Sequence, residues 1–281
     1  MDDIREVATA GSIASHDVLD AMVALRERRE PFAVATVIET QGSVSAKTGA
    51  KAVIGHDGRV AAGWVGGGCA EGAVCHTALD CLETCETAIV DLDLNDEVLG
   101  TGMPCGGTMR VFVEPFSPKP RLWILGHGKV AETLCTIGAT IGFEVVIDDP
   151  MADRTHYPQA AQLIAEDFDY RRLDPQAKDC VVVATQHKGD HESMARCLRS
   201  PVSYIALIAS RKRSKLVIDY LREQGFGETE LARVYAPAGL DLGARTPEEI
   251  ALSVLSEAVM LRHKASGAPR RGQILQSDTQ S

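Results

Sequence analysis

The sequence lacks several features that would mark a specialised class of protein. It contains no CxxC pair, so a structural zinc site of the common cysteine type is not expected. It has no run of about 18 apolar residues, the length that a membrane-spanning helix needs. Residues 1–12 (MDDIREVATAGS) are acidic and polar, and they lack the basic and apolar segments of a signal peptide. We therefore expect no membrane span and a cytoplasmic location.

Basic side chains are scarce relative to acidic ones. The 29 Lys and Arg residues face 39 Asp and Glu residues, which gives a formal net charge of -10. A broad nucleic-acid surface needs a dominant basic patch, so we expect no nucleic-acid partner. The 281 residues correspond to about two domains at roughly 150 residues per domain.

The pattern of apolar residues changes at a short proline-containing segment, residues 117–120 (SPKP). Residues 1–116 alternate short strands with two helices and predict a mixed α/β domain. Residues 121–264 alternate strands and helices regularly, which predicts a Rossmann-like domain with a parallel sheet. Residues 265–281 have little apolar content, and we expect a mobile tail. The fold class is therefore α/β, with a second domain of the Rossmann type.

A glycine-rich turn opens the second domain. Residues 126–131 (GHGKVA) follow a predicted strand and precede a predicted helix, and Asp148 lies 22 residues after Gly126. In dinucleotide-binding proteins such a turn brings backbone N–H groups to a pyrophosphate, and the acidic residue accepts hydrogen bonds from ribose. Gly126, His127, Gly128, Lys129 and Asp148 are therefore candidate ligand-binding residues. The alternative is a tight turn kept for packing alone.

Two of the eight cysteines lie in glycine loops. Cys69 is in residues 66–71 (GGGCAE), where a loop enters a helix, and Cys105 is in residues 102–107 (GMPCGG). The dipole at a helix N-terminus stabilises thiolate, so Cys69 is a candidate for a nucleophile or a soft-metal ligand, and Cys105 is a second candidate in a loop of the same kind. The loop glycines Gly66, Gly67, Gly68, Gly106 and Gly107 would let a ligand approach the backbone. We interpret the other six cysteines as packing residues; they are Cys75, Cys81, Cys85, Cys135, Cys180 and Cys197.

Two further segments follow predicted strands of the second domain. Residues 187–191 (HKGDH) come after one strand and supply His187 and Asp190 as candidate ligand-binding residues, with a metal-binding histidine pair or a solvated loop as alternatives. Residues 211–215 (RKRSK) begin the helix after the next strand. Arg211 or Arg213 there could hold a phosphate, although such a run is also typical of a solvated helix face.

The ordered motifs resemble the XdhC/CoxI family, the xanthine dehydrogenase accessory proteins. The resemblance covers residues 41–262 and depends on the two cysteine loops and six other segments. These are residues 41–43 (QGS), 49–50 (GA), 125–131 (LGHGKVA), 147–149 (IDD), 184–190 (ATQHKGD) and 236–259 (APAGLDLGARTPEEIALSVLSEAV). The last segment is the most specific.

The resemblance implies a chaperone for the molybdenum cofactor, either molybdopterin or its cytosine dinucleotide, rather than a turnover enzyme. Such a protein holds the pterin while a cysteine desulfurase or other sulfurase supplies the sulfido ligand. It then inserts the cofactor into an apo molybdenum hydroxylase of the xanthine dehydrogenase, aldehyde oxidase or CO dehydrogenase type. Cys69 and Cys105 would then be molybdenum ligands or sulfur carriers. The glycine-rich turn and Arg211 or Arg213 would hold the phosphate or dinucleotide end.

The sequence departs from the family pattern at three places and leaves other functions open. Residues 44–47 (VSAK) replace a Pro-Arg pair, Gly66 and Ala70 replace serine and valine, and residues 209–211 (ASR) replace Gly-Ser-Arg. Which hydroxylase is served therefore stays open, as does a homodimer. One alternative is an NAD(P)-dependent oxidoreductase, although no Tyr-Lys or His-Asp hydride-transfer pair is evident. The others are a persulfide-carrying sulfurtransferase and a scaffold without a ligand.

Overall fold

A computed structural model describes residues 15–94, 106–185 and 189–270, with only the backbone of Ser15, His16 and Cys69. The chain divides into two compact units after Pro118, inside the SPKP segment. We call the part before this division unit 1 and the part after it unit 2. None of the helices in the described residues is long and apolar enough to cross a membrane.

Unit 1 is a five-stranded antiparallel sheet with one helix on each face. Its elements are α1 (Ser15–Glu27), β1 (Phe32–Gly42), β2 (Lys51–Gly55), β3 (Val60–Gly63), α2 (Cys69–Thr84), β4 (Ala88–Asp93) and β5 (Gly107–Phe116), and the strand order is β3-β2-β1-β5-β4. Side chains alternate along β1, as expected for a strand buried on both faces. Ala33 and Ala35 pack under α2, whereas Phe32 and Val34 pack under α1. The mixed α/β character predicted for this part is confirmed.

The two cysteine-bearing loops are attached to the same end of the unit 1 sheet. β1, β3 and β4 end there, while β2 and β5 begin there, since every neighbouring pair is antiparallel. The loop before Cys69 leaves the end of β3, and the segment that contains Cys105 leads into the start of β5. We call this edge the loop end of unit 1.

Unit 2 has a six-stranded parallel sheet with helices on both faces. Its strands are β6 (Arg121–Gly126), β7 (Glu144–Asp148), β8 (Gln162–Ile164), β9 (Cys180–Ala184), β10 (Tyr204–Leu207) and β11 (Val234–Tyr235). Its helices are α3 (Lys129–Thr140), α4 (Asp190–Leu198), α5 (Arg211–Glu223), α6 (Glu228–Leu231) and α7 (Pro247–Arg262). The strand order is β11-β10-β9-β6-β7-β8. Counted within the unit this is the 3-2-1-4-5-6 order of a Rossmann fold, read from the other edge, so the predicted fold is confirmed.

Two cores lie on opposite faces of the unit 2 sheet. α3 and α7 cover one face through residues such as Leu134 and Val254, and α4, α5 and α6 cover the other through residues such as Met194 and Leu221. The start of α7 has the predicted capping box. Thr246 Oγ1 accepts the Glu249 N–H at 3.2 Å, and Glu249 Oε2 accepts the Thr246 N–H at 3.1 Å. These bonds satisfy two backbone donors at the helix N-terminus.

The packing prediction for the six other cysteines is correct for four of them. Cys81, Cys135, Cys180 and Cys197 are buried; Cys75 is only half-buried. Cys85 is exposed, so its assignment to the core stripe of α2 was wrong. The helix ends at Thr84, and Cys85 adopts a left-handed conformation with φ 60, which turns it away from the helical stripe.

Candidate functional site

The predicted phosphate-binding turn lies where β6 passes into α3. Gly126 and Gly128 have φ values of 113 and 96, in the left-handed region that favours glycine. A Cβ on Gly126 would lie 2.6 Å from the carbonyl carbon of Ala184, because β9 runs directly beside this turn. Gly128 caps α3 without a side-chain hydrogen bond. The first N–H groups of α3 therefore have no side-chain capping acceptor at this residue.

A cleft of about 920 Å³ opens beside this turn at the carboxyl ends of the strands. It is lined by residues of the turn, by Ala184 at the end of β9, by residues 208–211 after β10, and by residues 237–244 between β11 and α7. Open parallel sheets bind ligands at this edge, next to the point where the strand order reverses. The cleft therefore has both the position and the size of a ligand site.

The charged side chains of the cleft favour an anion. His127, Lys129 and Arg211 line it, and Asp241 is the acidic residue among the described lining residues. The N-termini of α3 and α5 also reach it, through Lys129 and Ser210 respectively. The partial positive charge of a helix N-terminus adds to that of the cationic side chains. Three of the predicted ligand-binding residues are thus brought together on one surface.

The side chain of His127 is fixed by a buried carboxylate. Its Nδ1 lies 2.9 Å from Asp149 Oδ2, and Asp149 is 4% exposed. The other oxygen, Asp149 Oδ1, accepts the Met151 N–H at 2.8 Å. Sequence reasoning missed this pair, because it considered Asp148, the last residue of β7, and no His-Asp pair was evident. The signal was a histidine inside the glycine turn together with a second aspartate 22 residues later.

Asp148, the predicted ribose acceptor, has no exposed surface and does not line the cleft. Neither of its oxygens has a hydrogen-bond partner among the described residues. Burial raises its pKa to about 7, and the charge of Asp167 adds to the effect while Arg172 opposes it. The ribose-binding role stays a prediction, and in this conformation the carboxyl cannot reach a ligand in the cleft.

Asp190 joins three elements rather than lining the cleft. It lies at the start of α4, is 2% exposed, and accepts hydrogen bonds from Thr185 Oγ1 and from Arg213 Nε, the latter at 3.0 Å. A charge that is buried in this way is normally paired, as here. The carboxylate therefore ties the end of β9 to the first turn of α5, which carries Arg211. His187 lies outside the described residues.

The glycine loop before Cys69 has free space at its end. Gly68 caps α2 with φ 62 and without a side-chain hydrogen bond. A Cβ on Gly67 or Gly68 would meet no atom of the described residues within 4 Å, whereas Gly66 is buried beside Ala70. Two of the three glycines are therefore not required by packing. Their bare backbone and the helix N-terminus leave room for a ligand next to Cys69.

The glycines after Cys105 have a packing role. A Cβ on Gly107 would lie 2.7 Å from Val44 Cγ2 and would also collide with the backbone of Gln41. A Cβ on Gly42 would lie 2.6 Å from the carbonyl oxygen of Gly106. Gly42 and Gly107 therefore both have to lack a Cβ for these two segments to pack together at the loop end of unit 1. Cys105 itself lies outside the described residues, so its role stays a prediction.

The loop before Cys69 reaches the strand that follows Cys105. A Cβ on Gly66 would lie 3.9 Å from the sulfur of Met109, which is four residues after Cys105. Gly66 is itself three residues before Cys69. The loop that precedes α2 therefore lies next to the start of β5 at the loop end of unit 1.

Family models match both units. A model described as the XdhC and CoxI family matches residues 25–93, and one described as the XdhC Rossmann domain matches residues 122–258. The chain belongs to the XdhC and CoxI family. The resemblance inferred from the motifs is thus confirmed.

Relatives with curated names include two Escherichia coli K12 proteins. The chain is 31% identical over 250 residues to the protein named uncharacterized protein YqeB, which covers 86% of this chain and 46% of that one. It is 23% identical over 262 residues to the molybdenum cofactor insertion chaperone PaoD, which covers 81% of this chain and 82% of PaoD.

A Bacillus subtilis protein, named as a probable subunit of xanthine dehydrogenase, is 31% identical over 165 residues, with coverage of 57% of this chain and 48% of that protein. The chain thus spans about half the length of YqeB and of this Bacillus subtilis protein. A solved structure described as a xanthine dehydrogenase from Bacillus halodurans is 22% identical, with a TM-score of 0.47 and coverage of 89% of this chain and 97% of that one.

Proposed function

We propose that this protein holds a molybdenum-containing pterin cofactor and inserts it into an apo molybdenum hydroxylase. The observation that carries the proposal is the cationic cleft at the carboxyl edge of the unit 2 sheet, in a family whose relatives include a molybdenum cofactor insertion chaperone. The chain has a net charge of -10, so an anionic pterin must be held locally, against the overall charge.

The cleft supplies groups that suit the phosphate of such a cofactor. The N-termini of α3 and α5 offer backbone N–H donors, and Lys129 and Arg211 offer positive charge. Arg binds phosphate through several donors at once, while Lys acts as a point charge. Asp190 acts indirectly, because its bond to Arg213 holds the first turn of α5 and thereby the backbone that carries Arg211.

The cysteine loops of unit 1 supply groups that suit the metal end. Thiolate is a soft ligand of the kind that molybdenum accepts, and Cys69 begins a helix, where the dipole favours the thiolate. Cys105 is the second candidate ligand. When bound, the pterin provides the dithiolene that carries the molybdenum. We further propose that the protein keeps the cofactor accessible to a cysteine desulfurase that supplies the sulfido ligand before insertion.

The test is to co-express the protein with a molybdenum cofactor pathway and to purify it. We expect bound molybdenum by mass spectrometry and the fluorescence of the oxidised pterin. Absence of both, under conditions in which an apo hydroxylase acquires them, would overturn the proposal.

Matched variants then locate the contacts. Arg211→Gln is expected to reduce cofactor retention, whereas Lys212→Gln, on the next residue of α5 and outside the described cleft lining, is the control. Cys69→Ser and Cys105→Ser are compared with Cys85→Ser, which changes an exposed cysteine at the other end of α2. If all three cysteine variants retain the same amount of cofactor, neither Cys69 nor Cys105 holds it.

A further inference from the structure

The cleft of unit 2 occupies only one half of the edge that a Rossmann fold offers to a dinucleotide. In dinucleotide-binding members of this fold, the ligand crosses the first strand and places one nucleoside on each side of it. Here the described lining residues come from the turn after β6 and from segments that follow β9, β10 and β11. No described residue between 131 and 183 lines the cleft, so β7 and β8 contribute nothing to it.

Among the described residues, the end of β7 offers no accessible acceptor for ribose. That acceptor is normally an accessible carboxylate at the end of the second strand, which here is β7. Asp148 has no exposed surface, and Asp149 is 4% exposed. Asp149 also already binds the ring of His127 and the backbone N–H of Met151. A ribose would have to displace His127 to reach Asp149.

The fold family implies a nicotinamide dinucleotide, and these residues do not fit one. We propose that the cleft binds a ligand anchored by a single phosphate-bearing arm on the β9–β11 side, and that it makes no contact with the adenosine of an adenine dinucleotide because the His127–Asp149 pair occupies the place of the adenosine ribose. The inference rests on the proposed function, since the phosphate arm of the pterin is a group of this class.

The charges of the cleft account for the phosphate anchor. Two cations, Lys129 and Arg211, face one carboxylate, that of Asp241, among the described lining residues, and the imidazole of His127 and two helix N-termini reach the same space. Loss of one charge-assisted hydrogen bond to an anion costs about 1.5–3 kcal/mol, which corresponds to a roughly 10- to 150-fold weaker affinity.

The experiment is calorimetric titration of the full chain with inorganic pyrophosphate, CMP and NAD⁺. We expect pyrophosphate and CMP to bind, and Arg211→Gln and Lys129→Gln each to weaken both by at least about 10-fold. Lys212→Gln is expected to leave both affinities unchanged. NAD⁺ is expected to bind no tighter than pyrophosphate, because its adenosine makes no contact of its own.

A second variant tests the role given to His127. His127→Ala uncovers Asp149 without changing the carboxylate, so the affinity for NAD⁺ should rise relative to that for CMP. The quantity compared is the ratio of the NAD⁺ affinity to the CMP affinity, because loss of a contact between the imidazole and phosphate would weaken both ligands. Circular dichroism and thermal unfolding confirm that each variant folds.

The outcomes separate this inference from the proposed function. NAD⁺ that binds the parent at least about 10-fold tighter than pyrophosphate, or an unchanged ratio of the NAD⁺ and CMP affinities in His127→Ala, overturns the exclusion of the adenosine even if the co-expressed protein retains molybdenum. Failure of pyrophosphate and CMP to bind overturns the phosphate anchor. If pyrophosphate, CMP and NAD⁺ bind as expected but the co-expressed protein retains no molybdenum, this inference is supported and the proposed function is wrong.

Discussion

Replacing Asp148 by Asn isolates the free-energy cost of a buried carboxyl at the end of β7. The side chain has no exposed surface, and its oxygens have no hydrogen-bond partner among the described residues. Burial, reinforced by the charge of Asp167, raises its pKa to about 7. In the unfolded chain the pKa is the ordinary value for aspartate, about 4.

The sign of the effect follows from the location of the proton. Between about pH 4 and pH 7 the folded state holds a proton that the unfolded state has released, so the free energy of unfolding falls as the pH rises. The loss is about 1.4 kcal/mol per pH unit and about 4 kcal/mol over the whole window. Below and above this window both states carry the same charge at Asp148, and the slope from this group vanishes.

Asn keeps the shape of the side chain and does not ionise. We therefore expect the difference in free energy of unfolding between Asp148→Asn and the parent protein to shift in favour of the variant by about 3 kcal/mol as the pH rises from 5 to 8. The measurement is urea-induced unfolding followed by the fluorescence of Trp123, which is buried in unit 2. Trp64, the second of two tryptophans, lies in unit 1 and is replaced by Phe throughout, so that the signal reports on unit 2 alone.

Asp219→Asn serves as the control. This aspartate is half-exposed on α5 and pairs with Arg222 at 3.5 Å, so its replacement is expected to change the stability by well under about 1 kcal/mol at any pH. A difference between Asp148→Asn and the parent that stays constant from pH 5 to pH 8 would refute the reasoning, because it would show that Asp148 takes up no proton on folding in this range.

Three further predictions concern the supports of the cleft, measured by the same unfolding assay. Gly126→Ala should cost at least about 2 kcal/mol, because the new Cβ collides with the backbone at the end of β9, whereas Gly142→Ala, with positive φ but open space, should cost about 1 kcal/mol. Asp190→Asn should cost about 2 kcal/mol, since Arg213 loses its buried partner; an unchanged midpoint would contradict this. Thr246→Ala should cost about 1 kcal/mol through loss of the α7 cap, whereas Thr246→Ser keeps the capping hydroxyl and should unfold like the parent protein.

Much of the fold was predictable because its signals are local. The glycine turn at residues 126–131, the proline and capping box at the start of α7, and the proline-containing segment after Phe116 each encode a backbone event within a few residues. The alternation of strands and helices then predicts a parallel sheet, and the short hydrophobic runs fit its buried strands. These features are carried by neighbours in the chain, so a single sequence suffices to find them.

The candidate site was predictable in part. His127, Lys129 and Arg211 were identified from the turn and from the basic run after β10, and the structure places all three on one cleft. The segment 237–244 was recognised as a family motif but not as a wall of this cleft. The position of this segment depends on β11, a strand of two residues that is too short to be predicted from a hydrophobic pattern.

The sequence by itself determined the class of fold, the family and the types of group available: glycine turns, thiols and a few cations in an acidic chain. Tertiary structure alone decided that Asp149 binds His127 while Asp148 has no hydrogen-bond partner among the described residues, and that the glycines near Cys105 pack against residues 41–44. The physical reason is that spacing along the chain reports local conformation. Burial and pairing depend on atoms brought together from distant strands. Burial and pairing in turn set the pKa of Asp148 and decide which half of the sheet edge the cleft occupies.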